Sequence, residues 1–170
     1  LHLSIRRQRQ MCIRDRLSSI FGKENLGIAS GSRFQTARHV LGDVLSNFNG
    51  NGLVFLDDVE REEERIMKNT GRAVNLNKPN SFSLLKASAG LRPFKGVLCV
   101  GDSMEDVFMV EEVRREDPRF MFAGVYRYSG SKNALLQSFL KAGVDVILPS
   151  VNEIPFFLEE LREGREVESG

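Results

Sequence analysis

Five short apolar runs, separated by helix-length amphipathic stretches, narrow most sharply what this chain can fold into. The runs are Leu26 to Ala29, Leu53 to Leu56, Gly96 to Val100, Met121 to Tyr126 and Asp145 to Leu148. Each is too short for a stable helix and is apolar on successive residues, as a strand covered on both faces must be. Between them, Phe34, Ala37, Val40, Leu41, Val44 and Leu45 recur at three- and four-residue steps, which predicts an amphipathic helix over Arg33 to Asn47. Similar steps predict helices over Ser81 to Ser88, Met104 to Arg115, Lys132 to Ala142 and Glu153 to Arg162. Strand and helix in alternation predict an α/β fold, a Rossmann-like three-layer sandwich around a mostly parallel sheet.

Local chemistry supports the helix limits. Ser131 and Asn152 stand where N-caps are wanted, each able to accept a bond from an unpaired first-turn amide. The charge run from Glu60 to Arg65 reads as one solvated helix face. Asp57 and Asp58 read as a polar strand end leading into that helix.

Composition removes several function classes. No apolar run approaches the roughly 20 residues of a membrane helix, and the opening lacks the apolar centre of a secretory signal. The expectation is a cytoplasmic protein without a membrane partner. With Cys12, Cys99, His2 and His39 as the full set of cysteines and histidines, a zinc site or disulfide framework lacks ligands, so any metal is held by oxygen. The opening LHLSIRRQRQMCIRDR differs from the rest and resembles translated sequencing-adapter sequence. Setting aside its five arginines and one aspartate moves the formal charge from +1 to −3. The basic run is then a non-native tail rather than a nucleic-acid arm. The expected organisation is this tail over 1–16, one core domain over 17–163 and a polar tail over 164–170.

Three segments carry candidate chemistry. In VLCVGDSMED, Val97 to Asp106, an apolar run ends in Gly101, Asp102 and Ser103 just as a helix begins, and ligands in parallel sheets sit beyond such strand ends. Asp102 and Asp106, four residues apart, can face one pocket and suit magnesium; they serve equally as an N-cap and a first-turn acid. In LGIASGSR, Leu26 to Arg33, the hydroxyl of Ser30 and the amides of Gly31 and Ser32 at a helix start can receive an anion, or simply cap that helix. In NKPNSF, Pro79 biases Lys78 toward an extended backbone just ahead of a helix. Its ammonium can neutralise phosphate, or be an ordinary surface lysine.

The order of the three is more specific than any one. A strand ending in Ser, then Lys-Pro before a helix, then a strand ending in Gly-Asp-Ser-x-x-Asp resembles motifs two, three and four of the haloacid dehalogenase (HAD) superfamily of phosphatases. LGIASGSR is similar to the second motif of its sugar-phosphate phosphatase and phosphomutase branch. The resemblance spans Leu17 to about Arg162. It implies a magnesium-dependent phosphomonoester hydrolase acting on a small phosphorylated metabolite through an aspartyl-phosphate. On that pattern Ser30 donates to the transferring phosphoryl group, Lys78 clamps it, Asp102 holds magnesium, and Asp106 supports the metal and the catalytic step. Gly31, Ser32 and Arg33 would contact substrate.

One departure matters. The superfamily's first motif, Asp-x-Asp at the end of the first strand, has no match upstream of Ser30, and Asp57 with Asp58 are adjacent and lie downstream. The resemblance therefore implies a C-terminal fragment without its nucleophile, inactive as it stands. It also implies a sheet lacking its first, central strand, which would lie between the strands ending at Ser30 and Asp102. Two inner edges would be left unpaired and prone to association. The competing expectation is a non-catalytic α/β binding or signalling domain, receiver-like or a degenerate HAD domain.

Overall fold

The computed structural model describes residues 17–91 and 93–168, with side chains as far as Leu161. Its strands are β1 (Ile28–Ala29), β2 (Leu53–Val54), β3 (Val97–Gly101), β4 (Phe120–Val125) and β5 (Val146–Leu148). Its principal helices are α1 (Phe34–Leu41), α2 (Leu56–Thr70), α3 (Phe82–Ala89), α4 (Met104–Arg114), α5 (Lys132–Ala142) and α6 (Ile154–Glu168). The architecture is an α/β Rossmann-like sandwich in which every strand pairing is parallel.

The strands form two sheets. β1 pairs with β2, and β3, β4 and β5 pair in that order, with Val97 opposite Phe120 and Ala123 opposite Val146. The middle strand β4 supplies the core: Phe120, Phe122 and Ala123 are buried among Val107, Val110, Val113 and Phe139. The rings of Phe122 and Phe139 meet edge to face with centroids 5.8 Å apart. Gly124 makes that contact possible, because a Cβ there would lie 2.6 Å from the Phe139 ring. Arg114 ties α4 to the sheet, donating to the Phe120 carbonyl at 2.9 Å and pairing with Asp145.

Between the two sheets lies a gap, and the strand edge on each side of it has no partner strand among the described residues. Val97 N–H donates to Arg119 O, so alternation along a parallel ladder turns the peptide groups of Leu98 and Val100 away from β4. Ser30 N–H donates to Val54 O and Leu26 O accepts from Asn49, which turns those of Gly27 and Ala29 away from β2. Among the described residues the expected pair of inner edges, one beside Ser30 and one beside Asp102, is therefore present.

Several local expectations change. The first helix begins at Phe34, with Arg33 as its N-cap, so Gly31 and Ser32 precede the helix rather than open it. It is α-helical only to Leu41, where Gly42 turns to a φ of 53°, and a 3-10 turn carries the chain to Asn47. The second apolar run is paired as a strand only over Leu53–Val54; Phe55 is still extended but caps α2, which starts at Leu56. The expected cap at Asn152 is replaced by Ser150, whose Oγ accepts the Asn152 N–H at 3.3 Å. Ser131 occupies its N-cap position without a side-chain bond. α6 runs from Ile154 to Glu168, past the expected helix end at Arg162. Cys12, His2 and the opening 16 residues lie outside the described residues.

Candidate functional site

Strand β3 delivers Asp102 and Ser103 to the start of α4. Ser103 is the N-cap: its Oγ accepts the Asp106 N–H at 3.2 Å and donates to Asp106 Oδ2 at 2.7 Å. Asp106 thereby folds back over the strand end, where only a glycine leaves room. A Cβ on Gly101 would fall 2.6 Å from both the Cβ and Oδ2 of Asp106.

The other oxygen of Asp106 is taken by Lys78. Its Nζ lies 2.6 Å from Oδ1, reaching across 28 positions of sequence, and both side chains are largely withdrawn from water. Lys78 sits in a turn closed by Asn80 N–H to Asn77 O at 2.9 Å, and its peptide bond to Pro79 is cis. Both carboxylate oxygens of Asp106 are thus engaged. Asp102 is exposed and has no hydrogen-bond or ion-pair partner among the described residues.

Ser30 follows β1 on the far side of the gap. Its Oγ accepts the Ser32 N–H at 3.1 Å, which leaves its own proton free to donate. A cavity of about 810 Å³ occupies the gap, and Ser30, Lys78, Asp102 and Asp106 all line it. Its remaining wall is mostly apolar and includes the inner edges of β1 and β3.

Gly31, Ser32 and Arg33 do not line this cavity. Arg33 is turned to α2, where Glu60 accepts from both its terminal nitrogens at 2.9 and 2.6 Å. That carboxylate raises the guanidinium pKa further. The Phe34 amide, which a helix-start anion site needs, goes to Asp57 Oδ2 at 2.7 Å, and this bond is the main cause holding Asp57 below its ordinary range. Asp58 accepts the Phe55 N–H at 3.0 Å. Asp57 and Asp58 fasten α1 and β2 to the start of α2, away from the cavity.

Magnesium prefers near-octahedral oxygen and keeps several waters, taking one or two carboxylates together with phosphate oxygens. Asp102 fits such an ion as an open carboxylate, while Asp106 is committed to Lys78 and Ser103. Among the described residues no group of three or more acids, histidines or cysteines is placed to hold a metal ion. The donor set suits an ion that draws most of its ligands from water and phosphate.

Two features escaped the sequence reading. Ser103, the hinge of the Asp106 arrangement, was signalled by the S-x-x-D spacing of a capping motif. Cys99, on β3 beneath the site, has its thiol pushed up to about 12, first by burial and then by the nearby Asp106 charge. Only the packed β3 environment reveals that shift.

Comparison with known proteins adds fold and nothing finer. No protein-family model matches the chain, and no curated protein matches it. It is similar to an X-ray structure of a Northeast Structural Genomics Consortium target, with a TM-score of 0.67 at 18% identity. The alignment covers 88% of this chain and 43% of that one, so the chain spans under half the length of that solved structure.

Proposed function

We propose that this chain is the phosphate-gripping portion of a magnesium-dependent phosphomonoester hydrolase related to the HAD superfamily, acting on a small phosphorylated metabolite. The observation that supports this best is the Lys78 to Asp106 pair, 2.6 Å, in a cavity that Ser30 and Asp102 also line. An ammonium, a free hydroxyl proton and an open carboxylate at the carboxyl ends of parallel strands are a set suited to a phosphate and its cation.

In this reading Asp106 does not ligate metal. It fixes Lys78, whose remaining ammonium protons point charge at a phosphate oxygen, while Ser30 donates to a second oxygen from the opposite wall. Asp102 would hold magnesium, which when bound supplies Lewis-acid neutralisation of the phosphate. The attacking carboxylate is not among these residues; an Asp-x-Asp has no match upstream of Ser30. The mostly apolar wall offers these charges few competing protein partners.

A second reading, a phosphate-binding domain without catalysis, draws on the saturation of Asp106 by Lys78 and Ser103. Extending the gene upstream and assaying phosphate release from p-nitrophenyl phosphate separates the two. Hydrolysis that needs magnesium and disappears in Asp102→Asn supports the enzyme. Full turnover in the presence of a chelator, or none from the extended chain, removes it.

A further inference from the structure

The turn that carries Lys78 is held from two sides by carboxylates that no motif includes. On α2, Glu63 Oε1 accepts the Leu76 N–H at 2.7 Å and the Asn77 side-chain amide at 3.4 Å. On α4, Glu112 Oε2 accepts the Ser81 N–H at 3.1 Å. Between these anchors the turn is knitted by its own asparagines. Asn75 Oδ1 accepts the Asn77 N–H at 3.0 Å, and Asn80 Oδ1 accepts the Phe82 N–H at 2.9 Å.

The residues 71–81 have no strand or helix ladder of their own, so the two carboxylates satisfy backbone donors that secondary structure would otherwise satisfy. Bonds from an amide to an ionised acceptor are the stronger kind. A lysine side chain has four rotatable carbon links and an ammonium that gains little from any one fixed place. Meeting Asp106 at 2.6 Å therefore requires the backbone beneath it to be fixed.

We infer that Glu63 and Glu112 are positioning residues, clamping the 75–81 turn between α2 and α4 so that the Lys78 ammonium is delivered to the strand end. Neither lines the cavity, and their effect reaches it through Lys78. The inference rests on the phosphate-site reading for its purpose, but its geometry can be tested without phosphate chemistry.

The test is lysine acylation of the full chain with a limiting N-hydroxysuccinimide acetate pulse, read by peptide mass spectrometry as the ratio of Lys78 to exposed Lys141. Asp106→Ala, which removes the ammonium's partner, sets the upper limit of that ratio. Glu63→Ala raises the ratio roughly three- to tenfold, the size expected from the net loss of one hydrogen bond that water can partly replace, and the double variant with Glu112→Ala approaches the upper limit. Glu63→Gln, which keeps an acceptor oxygen, stays near the parent value. A merely structural disturbance would also speed alkylation of Cys99, so that rate is measured in parallel and stays unchanged. An unchanged Lys78 ratio in both alanine variants, or a Gln variant as reactive as the Ala variant, overturns the inference. Because acylation reports where the ammonium sits, failure of the hydrolase reading leaves this result standing.

Discussion

Adding a single methyl group at Gly101 should unseat the site. A Cβ there lies 2.6 Å from both Cβ and Oδ2 of Asp106, and Cβ is not the far end of a side chain that can swing aside. Its φ is not positive, so the conflict is steric and not one of backbone preference. Overpacking of this kind costs about 1–3 kcal/mol. Displacing Asp106 also strips the partly buried Lys78 of its partner, and a hydrogen bond to a charged group is worth about 1.5–3 kcal/mol before allowing for the water that reaches Lys78. Together these give Gly101→Ala a loss of roughly 2–4 kcal/mol, or about 5–15 °C in a thermal melt of a chain this size. Gly31→Ala is the matched control, since nothing lies within 4 Å of a Cβ there, and it should stay within about 0.5 kcal/mol of the parent. Equal melting temperatures for Gly101→Ala and the parent, or a larger loss in Gly31→Ala, would refute the argument.

Removing the Ser103 cap with Ser103→Ala should cost about 1 kcal/mol in a urea titration, since both the Asp106 amide and Oδ2 lose a partner. The Cys99 thiol, raised to about 12 from its ordinary 9.0, should resist alkylation in the native chain at pH 8 and react quickly in denaturant. Its contribution to stability is whole below pH 9 and is lost as pH climbs toward 12, so Cys99→Ala should flatten the alkaline fall in melting temperature. The amides of Leu98 and Val100, facing the gap, should exchange faster than those of Val97 and Cys99, which face β4, and the isolated chain should associate through these edges. A monodisperse monomer at all concentrations, with uniform protection along β3, would contradict that.

Element type was legible in the sequence wherever a periodic signal ran long enough. Lys132–Ala142 matches its predicted helix at both ends, because its apolar spacing is regular and Gly143 closes it in a left-handed turn. Boundaries failed where tertiary contacts decide them. Asp57 draws the Phe34 amide across 23 residues and so sets the start of α1, a contact with no local trace. The same cause withdrew Arg33, which sequence order had set beside Ser30 but which Glu60 holds elsewhere. At the site, strand ends followed by polar residues marked Ser30, Asp102 and Asp106, and Lys-Pro ahead of a helix marked Lys78; all four line one cavity. What no pattern could supply was the division of labour between the two acids: Asp106 is spent on Lys78 as well as on its cap, and Asp102 is open. That follows from the close approach at Gly101, which exists only in three dimensions.

In the proposed function, residues from both sides of the gap take hold of one phosphate. Titrating orthophosphate with magnesium into the 15N-labelled chain measures it most directly. The amides of Ser30, Gly31, Asp102 and Ser103 should shift together along one saturation curve, and Lys78→Met should abolish the response. Shifts scattered over unrelated surfaces, or a Lys78→Met chain that titrates like the parent, would contradict it.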